Sequence, residues 1–413
     1  MNKYKVLRLL PAILFCVFIL SLIYFVNEEA YRRTTKSNLK DKSWIDRNVW
    51  LSSSDIGDGV YTVNKNKNIT TYNMLYQENV AEKINERLDN GTYSFDNLFM
   101  IYNPYGTNVN AINVYFEDDE WVLTSYKIMV DGYSDFEKSL VNGDFGAQGY
   151  ELIGFIMGEK NVLSLTFTDK SGGVKVKEYF LDFTNYRIDT DNKLSITEGS
   201  GEELEDGLYA ILGDSRDDDD YIFLVDNDGT VRGEIPITGY RAVNLLFKGD
   251  KMYFSISEGK IVEMNNLGQV TRVYGLGKYK LHHDYTFDDE KDNLLILASD
   301  TTKTSCEDVV IRLNLDSGDV TDAFYLEDVL PGIREVAYYD KDKVAKEVES
   351  VGVDWMHINT IDYLDNDVVL LSSRETSSII KVSNIFEDPV VDYILGDEAF
   401  FEGYDAKEYL YTK

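Results

Sequence analysis

The chain has 413 residues, 44% hydrophobic and 28% charged, which supplies a sizeable core and excludes a generically disordered chain. Its 73 acidic side chains against 41 basic ones leave a formal net charge of −32, so general nucleic-acid binding is excluded and an anion is admissible only in a locally electropositive pocket. Cys16 and Cys306 are the only cysteines, which gives no disulfide framework, and CxxC, HExxH, EF-hand and phosphate-cradling glycine patterns are all missing; a metal site assembled from distant residues stays open.

In chain order, Leu9 to Val26 form an 18-residue apolar run with Lys3, Lys5 and Arg8 before it and Asn27, Glu28 and Glu29 after it. That pattern predicts an N-terminal transmembrane helix acting as a signal anchor over residues 1–30, with a cleaved signal peptide as its rival. The positive-inside bias then predicts a single-pass protein of the cell (cytoplasmic) membrane with extracytoplasmic C-terminal domains, or a secreted or periplasmic protein after cleavage. Residues 31–48 read as a polar juxtamembrane connector.

From residue 49 to 200 the segments GVYTV, NAINVYF, WVLTSYKIMV, NVLSLTFT and VKVKEYFLDF alternate with turns and predict a β-sandwich-like domain. Val80 to Leu88 reads as a short helix with Glu82, Lys83, Glu86 and Arg87 on its wet side. Pro104 and Gly106 in NPYGT mark a turn that Tyr105 and Thr107 can cover or cap. The acidic, glycine-bearing run from Thr197 to Gly207 marks the boundary.

From residue 201 to 413 strand pairs recur around Gly229, Gly268 and Gly318, at separations that fit repeated four-stranded blades. Four blade-like units are expected between residues 207 and 396. The fold class is therefore all-β: a β-sandwich-like domain followed by a β-propeller that the four units leave incomplete unless chain beyond Lys413 or a terminal strand exchange closes it. The acids from Asp217 to Asp220 read as a solvated loop rather than a metal site.

Two stretches concentrate chemistry. KYKLHHDYTF holds His282, His283 and Asp284, and DWMHINTIDYL holds His357 and Asn359, each at the start of a predicted blade. Arg374 interrupts the β-rich VLLSSRETSSIIKV. A guanidinium offers paired hydrogen bonds to an oxyanion, an amide adds a directional donor, and a histidine donates or exchanges a proton. Together His283, His357, Asn359 and Arg374 suit a small sulfuryl-type anion; separate core and turn roles are the alternative. His282 reads as a structural neighbour, and Asp284 either orients a histidine or caps a turn.

The ordered motifs NPYGTNVNAINVYF, GYELIGFIMGEKNVLSL, HHDYTF, DWMHINTIDY and LLSSRETSSIIKVS, spread over roughly residues 95 to 396, resemble the bacterial arylsulfate sulfotransferase family. The resemblance implies a six-bladed propeller after a β-rich domain, with NPYGT in a domain-organising role. It also implies transfer of a sulfuryl group from a phenolic sulfate donor to a phenolic acceptor through a sulfohistidine, without a separate cofactor. The sulfuryl-binding roles fall on His283, His357, Asn359 and Arg374. The family's sulfuryl-accepting histidine lies in a later segment with no counterpart before Lys413, so catalysis is expected only if further chain supplies it. A noncatalytic envelope ligand-binding propeller is the competing expectation, and an envelope structural protein a third.

Overall fold

The computed structural model describes residues 41–140, 145–188, 207–213, 220–239, 241–303, 305–333, 353–401 and 409–411. The expected anchor, most of the 31–48 connector and most of the acidic boundary run lie outside the described residues. Among the described residues no helix is long and apolar enough to cross a membrane. The end of the connector is helical: α1 (Lys42–Arg47) is capped by the Asp41 carboxylate on Ser43 N–H and buries Ile45.

The architecture is all-β. A first sheet orders Val49–Ser53, Val60–Lys65, Phe99–Tyr102, Ala111–Asp118 and Gly146–Ile153; a second orders Phe136–Ser139, Trp121–Val130, Lys160–Asp169 and Val174–Asp182. The two share a core in which Ile112, Val114 and Phe116 meet Leu123, Leu163, Leu165 and Phe167. Residues 111–116 of the strand Ala111–Asp118 are buried on both faces because Tyr115, with Phe99 and Ile101 of the neighbouring strand, turns the other way, onto α2 (Met74–Asn90). The short helix expected at Val80–Leu88 thus runs from Met74 to Asn90, started by Asn73, whose side chain accepts from Tyr76 N–H at 3.2 Å. Its first turns carry Gln77 and Asn79, buried polar residues that conceal the helical period.

After residue 207, apart from one two-stranded parallel sheet, Ser305–Cys306 with Val353–Asp354, the described sheets are antiparallel meanders. One has three described strands, Tyr209–Ile211, Asp220–Val225 and Val231–Ile237; the others have four each, Leu245–Lys248 through Val270–Gly275, Tyr279–Phe287 through Val320–Tyr325, and Ile358–Tyr363 through Val390–Leu395. Successive sheets bury separate cores between them: Ile222 and Ile235 against Phe254 and Val262, Tyr253 and Ile261 against Leu281 and Ile296, and Leu295 and Leu297 against Ile358 and Ile361. The repeat is visible in its turns. Gly229, Gly268 and Gly318 all have φ near +75° (75°, 75° and 78°), and Asp226, Asn265 and Asn314 each bond forward to turn N–H groups. The last strand, Val390–Leu395, pairs onward with the returning chain, Tyr411 N–H donating to Ile394 C=O at 2.9 Å.

The NPYGTNVNAIN segment joins the two halves. Thr107 Oγ1 donates to Gly268 C=O at 2.6 Å, Asn113 Nδ2 to Leu267 C=O at 2.8 Å, and Glu234 N–H to Asn108 Oδ1 at 3.2 Å. From the helix, Gln77 Oε1 accepts Val270 N–H at 3.1 Å. These are buried polar groups bonded to one another, so the turn has the organising role expected of it.

Glu151 lies in this seam, its carboxyl against Gly268, and burial pushes it up to about 8 from an ordinary 4.5. The folded chain then holds a proton that the unfolded chain has lost between those values, so stability falls as pH rises through that window and the loss is complete above it. Wild type is expected to lose stability relative to Glu151→Gln by up to about 1.4 kcal/mol per pH unit there. Urea unfolding of both chains from pH 4 to 9 checks this as an order-of-magnitude expectation; parallel curves would count against a raised Glu151.

Candidate functional site

His282 and His283 lie in Tyr279–Phe287, the first strand of its sheet, which packs beside Ile358–Tyr363, the first strand of the next. The ladder breaks at the histidines. Leu281 pairs with Ala298 and Tyr285 with Ile296, so His282, His283 and Asp284 stand opposite Leu297 alone. Such a bulge frees side chains from strict alternation and re-aims them. His357 precedes Ile358–Tyr363, and the two imidazoles of His283 and His357 come within 4.7 Å of each other, centroid to centroid, with His282 at 5.3 Å from His283. All three histidines of the sequence therefore meet.

Two carboxylates join them. The short strands Ser305–Cys306 and Val353–Asp354 pair in parallel and place Glu307 beside Asp354. His357 Nδ1 lies 2.6 Å from Asp354 Oδ2 and 2.6 Å from Glu307 Oε2, and His283 Nε2 lies 3.4 Å from the same Glu307 oxygen. Glu307 is fixed by its backbone, its N–H donating to Ser299 Oγ at 2.9 Å and its C=O accepting Ile358 N–H at 3.3 Å. His283, Glu307 and His357 adopt φ of 53°, 56° and 46°, the left-handed region that costs a non-glycine residue about 1 kcal/mol or more. Three such residues in one cluster mark a site whose surroundings hold it in shape.

The electrostatics divide the histidines. Burial pulls His282 down to about 4, so it is neutral at pH 7. His357 is also penalised by burial, but Asp354 and Glu307 outweigh that and raise it to about 9, keeping it protonated. Glu307 pays a burial penalty too, and His283 and His357 nevertheless hold it well below the usual carboxylate range.

Arg374 follows Val369–Ser373 and docks through its backbone, its N–H donating to His357 C=O at 3.1 Å. Its guanidinium reaches Asp354 at 3.3 Å and Glu375 at 2.5 Å and stays half-exposed. Asn359 does not join the cluster. The ladder slips between Ile358 and Thr360, Asn359 is exposed, and its amide oxygen accepts from Ser372 Oγ at 2.5 Å. Asp284 does not orient a histidine: it accepts from Asn244 Nδ2 at 2.9 Å and Ile361 N–H at 3.2 Å, stapling three sheets. Glu307 carried no sequence signal, and Asp354 only its place three residues before His357.

The fold and site define an all-β chain of blade-like sheets with a histidine, arginine and carboxylate cluster where two first strands meet. The chain belongs to the arylsulfotransferase (ASST) family, whose model matches residues 195–413. Among solved structures it is similar to a streptogramin B lyase, at 11% identity and a TM-score of 0.29 over 70% of this chain and 78% of that one. It is also similar to the C-terminal WD40 domain of Sif2, at 11% and 0.29 over 47% and 58%, and to BamB from Moraxella catarrhalis, at 11% and 0.24 over 58% of each. No curated protein matches the chain.

Proposed function

We propose that the chain is an arylsulfate sulfotransferase that moves a sulfuryl group from a phenolic sulfate ester to a phenolic acceptor. One observation carries this: in a chain of the arylsulfotransferase family, His283 and His357 come together beside Arg374. In the transfer the ester S–O bond breaks, a new S–O bond forms to the acceptor, and the acceptor's proton is passed on as the donor leaves as a phenol. Protonated His357 and Arg374 would donate to the sulfuryl oxygens, where negative charge must be held as the bonds exchange. His283 would sit beside them as a hydrogen-bond or proton-exchange partner. Asn359 would need its Ser372 bond broken to take part.

The same reading divides the chain near residue 200 into a β-sandwich-like domain and a propeller of which residues 201–413 form part. It sets both outside the cytoplasm, behind the apolar segment Leu9–Val26. A noncatalytic ligand-binding propeller is the second reading, favoured by the three carboxylates Glu307, Asp354 and Glu375 that engage His357 and Arg374.

The test is release of phenol from a chromogenic aryl sulfate by the full chain, with and without a second phenol. Release that depends on the acceptor and matches the sulfated acceptor formed is the expected result. Release into water alone would indicate a sulfatase, and ligand binding without release the second reading.

A further inference from the structure

The histidine and carboxylate cluster has more donor atoms than its hydrogen bonds use. His282 is only 7% exposed, and neither of its ring nitrogens makes an aligned hydrogen bond, the backbone of Ala298 acting on it only off axis. A buried imidazole ordinarily finds a partner for at least one nitrogen. Glu307 Oε2 is in the same position: it lies against two imidazole nitrogens, at 2.6 and 3.4 Å, yet accepts no aligned hydrogen bond, and Asp354 Oδ1 is buried without one. Close approach of several donor atoms off the hydrogen-bond axis is the arrangement of ligands around a common cation.

The geometry extends across the cluster. One donor atom from each of His282, His283 and Glu307 lies within 4.8 Å of the others, and the same holds for Glu307, Asp354 and His357, so two triads share Glu307. Tetrahedral ligands about 2.1 Å from a zinc ion stand about 3.4 Å apart, so a modest contraction closes either triad. The donor set is imidazole nitrogen with carboxylate oxygen, which suits divalent first-row transition ions better than magnesium or calcium. The left-handed backbone at His283, Glu307 and His357 holds three of the five donors in place before any ion arrives.

We propose that His282, His283, His357, Glu307 and Asp354 form a binding site for one divalent transition-metal ion, with Glu307 as the shared ligand. The site does not rest on sulfuryl transfer, because its observations are donor atoms without aligned hydrogen bonds and their spacing, and its test reads metal rather than turnover. A bound ion would engage one His282 nitrogen and the Glu307 oxygen together, and would displace the proton that His357 otherwise carries. Arg374, which donates and cannot ligate, would remain at its edge.

Zinc is the probe. The full chain, stripped with a chelator and dialysed against zinc chloride, is expected to retain one zinc per molecule by elemental analysis and to unfold at a higher temperature with zinc than without. Glu307→Gln and His282→Gln are each expected to weaken binding at least about a hundredfold, beyond the roughly 10–100-fold cost of losing an outer partner. Cobalt substitution supplies a readout that folding defects do not mimic: imidazole and carboxylate ligation gives visible absorption in the wild type that is altered in both variants. Arg374→Lys should bind zinc as the wild type does. Less than stoichiometric zinc in the wild type, or undiminished affinity in both glutamine variants, overturns the proposal.

Discussion

Arg374→Ala is expected to lower kcat/KM for an aryl sulfate by about 10²–10³-fold, the loss that follows removal of one donor to a developing oxyanion, while leaving the urea midpoint nearly unchanged. The stability half follows from exposure. The Arg374 side chain is 48% exposed and its ion pairs are with Asp354 and Glu375 at the rim, where such pairs contribute about 0–1 kcal/mol. The bond that anchors this turn, Arg374 N–H to His357 C=O, belongs to the backbone and survives in alanine. The activity half follows from charge. Three carboxylates face two cations in the cluster, so an incoming sulfate ester must draw the guanidinium away from Glu375 and Asp354, and without Arg374 it meets an acidic rim. Lysine restores the charge without the paired donors, so Arg374→Lys should fall between the two. Steady-state kinetics on a chromogenic aryl sulfate, with unfolding curves on the same preparations, check both halves. An alanine variant with wild-type kcat/KM would remove Arg374 from sulfuryl binding.

This variant also separates the two readings of the cluster. Arg374 is an anion-binding residue in the transfer and no ligand in the metal site, whereas Glu307 is central to the metal site and has no positive charge to offer a sulfate. Loss of turnover with zinc binding intact in Arg374→Ala would show that the guanidinium serves the anion alone, while His283 and His357 are shared by both readings.

Most of the strand framework was legible in the sequence, because a strand with one face in a core alternates and its turns demand glycine, asparagine or aspartate. The α2 helix was only half legible. Its first turns bury Gln77 and Asn79, whose polarity reads as a loop until Val270, Thr71 and Tyr105 are seen to partner Gln77 and Asp46 to partner Asn79. The site divides in the same way. His283 and His357 could be found because they lie in short runs near strand starts, whereas His282 read as a structural neighbour. Asn359 was misplaced because alternation over His357, Ile358 and Asn359 puts the first and third on one face, and the slip between Ile358 and Thr360 turns Asn359 outward. Glu307 was invisible, since only the parallel pairing of Ser305–Cys306 with Val353–Asp354 carries it to a histidine 50 residues further along the chain.

The largest loss of stability is expected from Arg232→Met, about 3–5 kcal/mol, the cost of leaving one charge of a buried pair without its partner. Arg232 is 1% exposed in the strand Val231–Ile237. Its guanidinium makes a 2.6 Å bond to Asp226, donates to Gly154 C=O at 3.1 Å and Ser134 C=O at 2.7 Å, and lies over the Phe136 ring. Those carbonyls belong to the N-terminal half, so one side chain from the first blade-like sheet ties down two loops of the other half. Methionine fills similar volume but leaves the Asp226 carboxylate and both carbonyls short of a donor. Asp226 also holds its own hairpin, accepting Thr230 N–H at 2.9 Å and Asp228 N–H at 3.0 Å through Oδ1. Asp226→Asn keeps that acceptor while removing the charge, so the double variant Arg232→Met with Asp226→Asn should recover part of the loss. Urea unfolding followed by tryptophan fluorescence measures the cycle, and the single variant should also separate the transitions of the two halves, since this seam couples them. A change below about 1 kcal/mol in Arg232→Met would show that the seam is held by its apolar contacts and the Thr107, Asn108 and Asn113 bonds alone.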